Sequence, residues 1–495
     1  MEQKNSGGPS LSQYFANDPP SFFDELANKE SAGAPTQQPT NTAASNTRPN
    51  GASAAVNISD STFNGGFQPT EYVHNPAELA DTVSDEVRNF WAPVVVEPGI
   101  PPMLTMPGIH SPNDLPDIIA DAVLKHLGEV ELSQRKILGV NNVTQDERGL
   151  RSLIAAGCYR AAVNLTGRLL TIYGQGYGRT GQPAKHSPHS LQLWFTRLAL
   201  LAKLGEYELL QAEAEPFDQL NRPDVYYEFY PEMHNGKTGS IACFSFRLLL
   251  AELPIYLGNP QQAMDRLSEL FVITNDISKY YKHTDNEVAA EFWNKREIRV
   301  LHSFINCAII MKKYNLIDDI IRDMILDRPE LAKEERRALF SAWGRIYLQI
   351  GDIFGAEQKF AEARRLREIN SAPDLRDLVD KGLITLAKND FPEAFAIFQK
   401  ALHLESGNTM ILNNMGVCLL YAGKLKDAIN LYERAINLNP QKSLNESLLV
   451  NLSTLYELES NNSKSKKLNL LRLISKYKPD LNISLEICLK LQAVS

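Results

Sequence analysis

One set of small and aromatic residues recurs three times, with the same internal spacing, between Arg337 and Lys442. In blocks that begin at Arg337, Leu375 and Thr409, glycine is at the eighth position, alanine at the twentieth and twenty-seventh, and an aromatic residue at the twenty-fourth. The residues are Gly344, Ala356, Phe360 and Ala363, then Gly382, Ala394, Phe398 and Ala401, then Gly416, Ala428, Tyr432 and Ala435, followed by Pro440. Small residues at these intervals let antiparallel helices pack closely, so the spacing predicts helical hairpins in series.

The spacing resembles the tetratricopeptide (TPR) repeat, a helical hairpin of about 34 residues. Such hairpins bury their apolar faces against their neighbours. The resemblance therefore predicts an all-α fold, a TPR-type helical-hairpin solenoid that winds as a right-handed superhelix, with a disordered N-terminal tail. Four degenerate hairpins are expected upstream, from Thr144 and near 191–224, 244–277 and 298–331, and a last one over Glu446–Pro479.

These patterns divide the chain into five expected segments. Residues 1–82 are rich in Ser, Asn, Pro and Gly, which predicts a disordered tail. Residues 83–143 contain many prolines and then a helical pattern, which predicts an extended arm and a first helix. Degenerate hairpins are expected over 144–331, three consensus repeats over 332–442, and a capping hairpin with a final helix over 443–495. Three long loops are expected, at Gly174–His189, Phe217–Ser240 and Ile277–Glu291.

Composition disfavours several classes of protein. The formal net charge is −8, whereas nucleic-acid-binding proteins usually carry a basic surface. The five cysteines form no Cys-x-x-Cys pair, which disfavours a zinc site and is typical of a reducing compartment. The first residues lack a signal region, and no apolar run reaches the ~18 residues of a membrane span. These features predict a soluble, cytoplasmic chain that binds no nucleic acid.

No cluster of residues predicts a catalytic site, a cofactor site or a metal site. The segment Gly176–Gly181 has the letters G-x-G-x-x-G, but a dinucleotide site needs a preceding strand, and here a helical pattern precedes the glycines. Flexible helix termination is the simpler interpretation. His186 and His189 are three residues apart without a nearby Cys or carboxylate ligand. We therefore expect no enzyme activity and no cofactor.

TPR repeats often bind peptides on the inner face formed by their first helices. A clamp for a chaperone's C-terminal carboxylate needs Lys and Asn at positions 5 and 9 of a first repeat, but this chain has Val379 and Leu383, or Ser341 and Arg345. Only Asn414 fits. The apolar inner-face residues are Val379, Leu383, Leu386, Met410, Val417 and Leu420. Apolar stripes at helical spacing usually pack in the core, so core packing is the favoured interpretation and a peptide groove the alternative.

The tail contains one candidate partner-docking motif. Residues 11–26 read LSQYFANDPPSFFDEL and hold Tyr14, Phe15, Phe22 and Phe23 among acidic residues. Aromatic residues in a disordered segment can order on binding a partner. The alternative, that these aromatic residues have no role, has equal weight.

Longer stretches are more specific than the repeat spacing. They include LTMPG at 104–108, QDERGL at 145–150, AAGCYRAAVNLTGRLL at 155–170, GQGYG at 174–178, SLQLWF at 190–195, QIGDI at 349–353 and LLYAGKLKD at 419–427. Together they resemble the subunit 12 family of the TRAPP (transport protein particle) complexes, over roughly residues 85 to 495.

This resemblance implies a non-catalytic subunit of the metazoan TRAPP III vesicle-tethering complex, which promotes nucleotide exchange on a Rab1-type GTPase. It implies roles in ER-to-Golgi transport and autophagy, and a peripheral location at early secretory membranes. The implied partners are the large TRAPP subunits 8 and 11 and the core subunit 2 or its paralogue. The alternative is a free, co-chaperone-like TPR adaptor that binds peptide tails; an enzyme ranks third.

Overall fold

The computed structural model describes residues 83–93, 101–326, 328, 331–367, 374–459, 462–481 and 484–491. Within these ranges the regular structure is helical and no β-strand forms, apart from two isolated bridges, Ile109–Tyr177 and Tyr226–Ser240. This confirms the prediction of an all-α fold for the described part; the predicted tail, 1–82, lies outside it. No described helix combines the length and the apolar character that crossing a membrane requires.

The helices are numbered here in chain order. They are α1 (Asp85–Arg88), α2 (Ile118–Leu127), α3 (Glu129–Ser133), α4 (Glu147–Ala155), α5 (Tyr159–Ile172), α6 (Pro188–Leu204), α7 (Tyr207–Ala214), α8 (Pro231–His234), α9 (Phe244–Tyr256), α10 (Pro260–His283), α11 (Glu287–Ile310), α12 (Tyr314–Leu326), α13 (Lys333–Gln349), α14 (Ile353–Arg365), α15 (Leu375–Ala387), α16 (Phe391–Leu404), α17 (Thr409–Tyr421), α18 (Leu425–Leu438), α19 (Pro440–Ser443), α20 (Glu446–Glu459), α21 (Ser463–Tyr477) and α22 (Leu485–Cys488). Single turns of 3₁₀ helix at 140–142, 215–217, 223–225 and 227–229 complete the regular structure of the described residues.

The chain divides into two compact units. Among the described residues, the first unit takes 83–116 and 137–314. It contains the helix pairs α4/α5, α6/α7 and α9/α10, and α11 packs along α10. Large apolar side chains fill it, and Trp194, Phe195, Phe217, Phe246 and Trp293 are fully buried.

The expected loop at Ile277–Glu291 is wrong. Helix α10 continues to His283 and α11 begins at Glu287, so only a short turn separates two helices of 24 residues each. The apolar spacing persists through this polar sequence, because Ile277 and Tyr281 on α10 and Ala289 and Ala290 on α11 are all buried. Buried residues at these intervals keep the two helices paired although most of the intervening side chains are polar.

The second unit takes 117–136 and 315–491 of the described residues. It contains the hairpins α13/α14, α15/α16, α17/α18 and α20/α21. Side-chain caps begin several of these helices: Asp352 accepts from the Gly355 N–H, and Asp390 accepts from the Glu393 N–H. At the hairpin turns, Gly351, Asn389 and Gly423 have left-handed backbone angles (φ 83°, 63° and 74°), which glycine and asparagine adopt most readily.

Helix α2 is distant in sequence from the rest of this unit. Its buried residues Ile119 and Val123 join one core cluster with Leu470, Leu471 and Ile474 of α21. Arg135, just after α3, donates to the Ser475 and Pro479 carbonyl oxygens, both at 2.7 Å, and its guanidinium also pairs with Asp117. The hairpin α20/α21 therefore packs on a helix that precedes it by more than 300 residues in the sequence.

Candidate protein-interaction surface

Each repeat glycine of the consensus hairpins lies against the aromatic ring of its own repeat. A Cβ on Gly344 would be 2.5 Å from the Phe360 ring, and one on Gly382 would be 2.6 Å from the Phe398 ring. A Cβ on Gly416 would be 2.3 Å from Cζ of Tyr432. Because real Cβ atoms do not approach so closely, these positions need glycine for the helices to keep this separation.

The other residues of the repeat set are mostly in the core. The alanines that the spacing singles out are buried at Ala356, Ala363, Ala394, Ala401, Ala428 and Ala435. Pro440 is the first residue of α19, where its missing N–H costs no hydrogen bond. The aromatic residues Tyr14, Phe15, Phe22 and Phe23 lie outside the described residues.

The inner face of the consensus repeats is filled by the protein itself. Val379, Leu383 and Leu386 are buried in one core cluster with Phe398, and Val417 is buried as well. Met410 and Leu420 are partly buried against the core. This is the core packing favoured from the sequence.

Charged residues on the same face pair with each other. Arg345 on α13 binds Asp380 on α15 at 2.8 Å, and the Ser341 hydroxyl donates to the same carboxylate at 2.6 Å. Burial raises the pKa of Asp380, and the positive charge of Arg345 opposes that shift. Arg337 binds Asp374 and Asp377 in the same way. These groups are already paired, so Arg345 is not free to clamp a peptide.

The glycine-rich segment contacts the arm formed by residues 101–110. The Ile109 N–H donates to the Gly176 carbonyl at 3.3 Å, and the Gly181 N–H donates to the Met106 carbonyl at 3.0 Å. A Cβ on Gly108 would be 2.3 Å from the Thr180 nitrogen. The helix ends before these glycines as expected, since α5 ends at Ile172. The segment is not a free loop, however, because it packs against the arm through backbone hydrogen bonds.

His186 lies in a buried cluster, whereas His189 is partly exposed beside Tyr173. The Thr105 hydroxyl donates to Asp224 at 2.7 Å and lies 2.6 Å from Nε2 of His186. Burial alone would raise the pKa of Asp224, but hydrogen bonds from His186 and Thr105 bring it below its ordinary value. With Thr105 at most 3% exposed, and His186 and Asp224 at 0%, this cluster fixes the arm to the first unit.

The long loop Phe217–Ser240 keeps most of its aromatic side chains inside. Tyr226, Tyr227 and Tyr230 are buried, and only Phe229 is substantially exposed. Two single turns of 3₁₀ helix and the short α8 lie within it. This loop therefore packs its tyrosines into the first unit, and it exposes Phe229 and Met233.

Residues 83–93, which we define as the strap, lie in a groove of the first unit. Three consecutive carbonyl oxygens of the strap accept hydrogen bonds from this groove: Val87 from Trp293 Nε1, Arg88 from Arg296 Nη1 and Asn89 from the Ser240 N–H, at 2.9 to 3.1 Å. The proline-rich sequence predicts an arm here, but nothing in it indicates this groove.

Aromatic contacts complete the docking of the strap. Phe90 stacks on Tyr280 with ring centroids 5.6 Å apart, and Trp91 is buried beside Trp293 and under the Arg247 guanidinium, which is 4.2 Å from the ring centroid. Gly239 lies so close to the strap that a Cβ would be 2.3 Å from the Asn89 oxygen. A backbone bound by hydrogen bonds and side chains held in aromatic pockets is how short peptides bind to protein grooves.

Exposed apolar side chains lie at two edges of the second unit. Leu404 and Leu438 hold the same repeat position at the ends of α16 and α18, and are 58% and 83% exposed. Phe354, Tyr421 and Leu458 are exposed near the turns between paired helices. Single exposed apolar residues are common, whereas equivalent ones on successive repeats are candidates for a surface that another protein covers.

The sequence comparisons agree with these features. Residues 410–442 match the family model for the tetratricopeptide repeat. Mouse "Trafficking protein particle complex subunit 12" is 40% identical over 392 residues, which cover 76% of this chain and 49% of the mouse protein. Over this region, the chain is similar to subunit 12 of trafficking protein particle complexes. The human subunit 12 is 39% identical over 387 residues, covering 75% of this chain and 52% of the human protein.

The family resemblance drawn from the sequence is thus confirmed, and the chain spans about half the length of the curated subunit 12 proteins it matches. Among solved structures, the crystal structure of the APC/C hetero-tetramer Cut9–Hcn1 aligns at a TM-score of 0.30 and 14% identity, over 74% of this chain and 59% of that one. Yeast Tom70 aligns at 0.29 and 14%, over 73% and 70%. At these scores neither alignment assigns a function.

Proposed function

We propose that this chain is a non-catalytic scaffold subunit of a trafficking protein particle complex. The observation that carries the proposal is the 40% identity to a protein named as subunit 12 of that complex, over about three quarters of the chain. The fold is consistent with it, because stacked hairpins expose edges that can bind several proteins. The inner face supports no peptide-clamp function, since its charged groups already pair with each other.

At the finer level, the complex is TRAPP III, and the chain holds the large subunits 8 and 11 and the core subunit 2 or its paralogue. Through the complex it supports nucleotide exchange on a Rab1-type GTPase, in ER-to-Golgi transport and autophagy. Its contact with early secretory membranes is peripheral and is made through its partners. The motif resemblance given under Sequence analysis supports these assignments.

The exposed edge formed by Leu404 and Leu438 is the contact we assign to a neighbouring subunit. A stable interface buries about 800 Å² on each partner, which two adjacent hairpins can provide. Replacing both leucines by aspartate should release the neighbouring subunit, because it places charge in an apolar contact, while helicity stays unchanged because both side chains are exposed. The matched control is Val272→Asp, at an exposed apolar position of the first unit.

Native size and nucleotide exchange test the proposal directly. The endogenous chain should elute with a large assembly and co-purify with other subunits; elution as a free chain would favour the adaptor alternative. In a fluorescent-nucleotide release assay with a Rab1-type GTPase, the whole complex should accelerate release and the purified chain alone should not. Acceleration by the isolated chain would contradict a scaffold role, and normal assembly in depleted cells would contradict a subunit role.

A further inference from the structure

The strap groove has the chemistry of a peptide-docking site. The groove residues that touch the strap contact its backbone at three carbonyl oxygens and its side chains at Phe90 and Trp91. The hydrogen bonds to backbone carbonyl oxygens are available to most peptides, because every residue carries a carbonyl oxygen. The aromatic pair supplies the selectivity, since Phe90 and Trp91 enter different surroundings.

The groove also contains two guanidinium groups for which the described residues provide no carboxylate. Arg296 lies within 5 Å of the ring centroids of Phe244, Phe292 and Trp293, and its Nη1 donates a hydrogen bond to the Arg88 carbonyl of the strap. Burial lowers the pKa of Arg296 to about 9. Arg247 is buried and donates to the Gln219 and Leu220 carbonyls and to the hydroxyls of Tyr226 and Ser240. A buried positive charge without an anion favours ligands that bring negative charge.

The strap supplies that chemistry in part. Asp85 lies 3.8 Å from the exposed Lys237 amine. Burial and the neighbouring Tyr280 raise the pKa of the groove residue Tyr281, and the negative charge of Glu86 adds a smaller contribution. The strap thus combines acidic residues at its beginning with an adjacent aromatic pair at its end.

We propose that this groove is an exchangeable docking site for acidic segments with adjacent aromatic residues, and that its second occupant is segment 11–26 of this chain. That segment contains two adjacent aromatic pairs, Tyr14-Phe15 and Phe22-Phe23. It also contains Asp18, Asp24 and Glu25 and no basic residue. Its net charge of three negative units complements Arg247, Arg296 and Lys237 more fully than the strap does, because the strap carries Arg88.

Chain length decides which segment holds the groove in the intact protein. Seven residues, 94–100, join the strap to Pro101, whereas 74 residues, 27–100, separate segment 11–26 from the same point. For tethers that behave as flexible chains, effective concentration falls roughly as the −3/2 power of length, which favours the strap by about 30-fold at equal intrinsic affinity. The strap is therefore the resident ligand, and segment 11–26 docks when the strap is withdrawn.

The test uses the full chain and a fluorescent peptide of residues 11–26. The strap is disabled by Phe90→Ala with Trp91→Ala, and the chain's own tail by Ala at positions 14, 15, 22 and 23. With a strap concentration of about 1 mM and a dissociation constant of 100 µM or tighter, the intact chain should bind the peptide at least about tenfold more weakly than the variant lacking both segments. The variant that retains its tail should fall between them. A peptide of residues 83–93 should compete for the same site.

Three controls locate the binding. Arg296→Gln in the doubly disabled chain should weaken peptide binding, whereas Phe354→Ser, at an exposed site of the second unit, should leave it unchanged. Circular dichroism checks folding, and Phe90→Ala alone, at a partly exposed residue, replaces the double change if helicity falls. The proposal is overturned if peptide 11–26 fails to bind where peptide 83–93 binds, if Arg296→Gln has no effect, or if Phe354→Ser abolishes binding.

Discussion

Replacing Gly416 by alanine gives a sensitive measure of how closely the helices of a repeat must pack. The added methyl would lie 2.3 Å from Cζ and 2.4 Å from the hydroxyl oxygen of Tyr432, a ring that is fully buried. The ring cannot move freely, because its hydroxyl donates to the Asn413 carbonyl at 3.0 Å. Either α17 and α18 separate or the tyrosine leaves this hydrogen bond.

The expected cost combines three terms. Overpacking a core costs about 1 to 3 kcal/mol, and a lost hydrogen bond adds about 0.5 to 1.5 kcal/mol. Alanine is the better helix former by about 0.8 to 1.0 kcal/mol, which opposes the first two terms. We therefore expect Gly416→Ala to lower the free energy of unfolding of its unit by about 1 to 3 kcal/mol.

Urea denaturation followed by far-UV circular dichroism measures the loss, and amide hydrogen exchange locates it. Faster exchange should concentrate in α17, α18 and the adjoining hairpins, because repeats depend mainly on their neighbours. Gly167→Ala is the matched control: its new Cβ would meet atoms only at 3.4 Å and beyond, so it should be neutral or slightly stabilising.

A second substitution tests the mechanism. In Gly416→Ala with Tyr432→Leu, the smaller side chain makes room for the methyl, so the double variant should be more stable than the sum of the single changes predicts, by at least about 0.5 kcal/mol. The packing argument fails if Gly416→Ala unfolds like the wild type, or if the two changes are simply additive.

Three further predictions concern other parts of the chain. Ala428→Arg places a charge at a fully buried position and should cost more than the roughly 1 to 3 kcal/mol of overpacking alone; a wild-type thermal transition would contradict this. Asp146 caps α4, and Asp146→Ala should cost about 1 kcal/mol at pH 7. Hydrogen bonds from Thr144 and the Gly149 N–H hold the pKa of Asp146 below its ordinary value, so its stabilising effect is present above the unfolded-state pKa and is lost as pH falls through the folded-state pKa, whereas Asp146→Asn should cap without this titration. Deleting residues 1–82 should leave thermal denaturation unchanged, while deletion through residue 93 should lower the transition temperature by removing the strap; equal curves for the two deletions would show that the strap contributes no stability.

The consensus hairpins could be predicted because their determinants are local and periodic. Gly382, Ala394 and Phe398 recur at the same spacing in each block, and the structure places Gly382 against the Phe398 ring. Sequence composition predicts the wrong structure for Ile277–Glu291, because its polar surface residues conceal four buried positions. The buried residues there do follow helical spacing, but the polar composition of the segment favours a loop.

Contacts between distant segments could not be predicted in this way. Nothing local indicates that Thr105 will meet Asp224, or that Trp293 will bind the Val87 carbonyl. The pairing of Arg345 with Asp380 cannot be predicted from the sequence either, since it depends on how the first helices of neighbouring repeats, α13 and α15, face each other. Sequence spacing therefore predicts each hairpin, whereas contacts between hairpins, and between the strap and its groove, can be identified only from the three-dimensional structure.

The packing of α2 on the C-terminal hairpin has a consequence during synthesis. Arg135 is made 340 residues before its acceptor Ser475. At about 5 to 20 residues per second, the ribosome needs roughly 17 to 70 s to cover that distance. For this time Ile119 and Val123 lack the α21 surface that buries them, and a chaperone has an exposed apolar helix to hold. A truncated chain that ends before Ser463 lacks α21, so the apolar face of α2 would stay exposed. We therefore expect quality-control proteins to bind such a chain at α2 and to direct it to degradation.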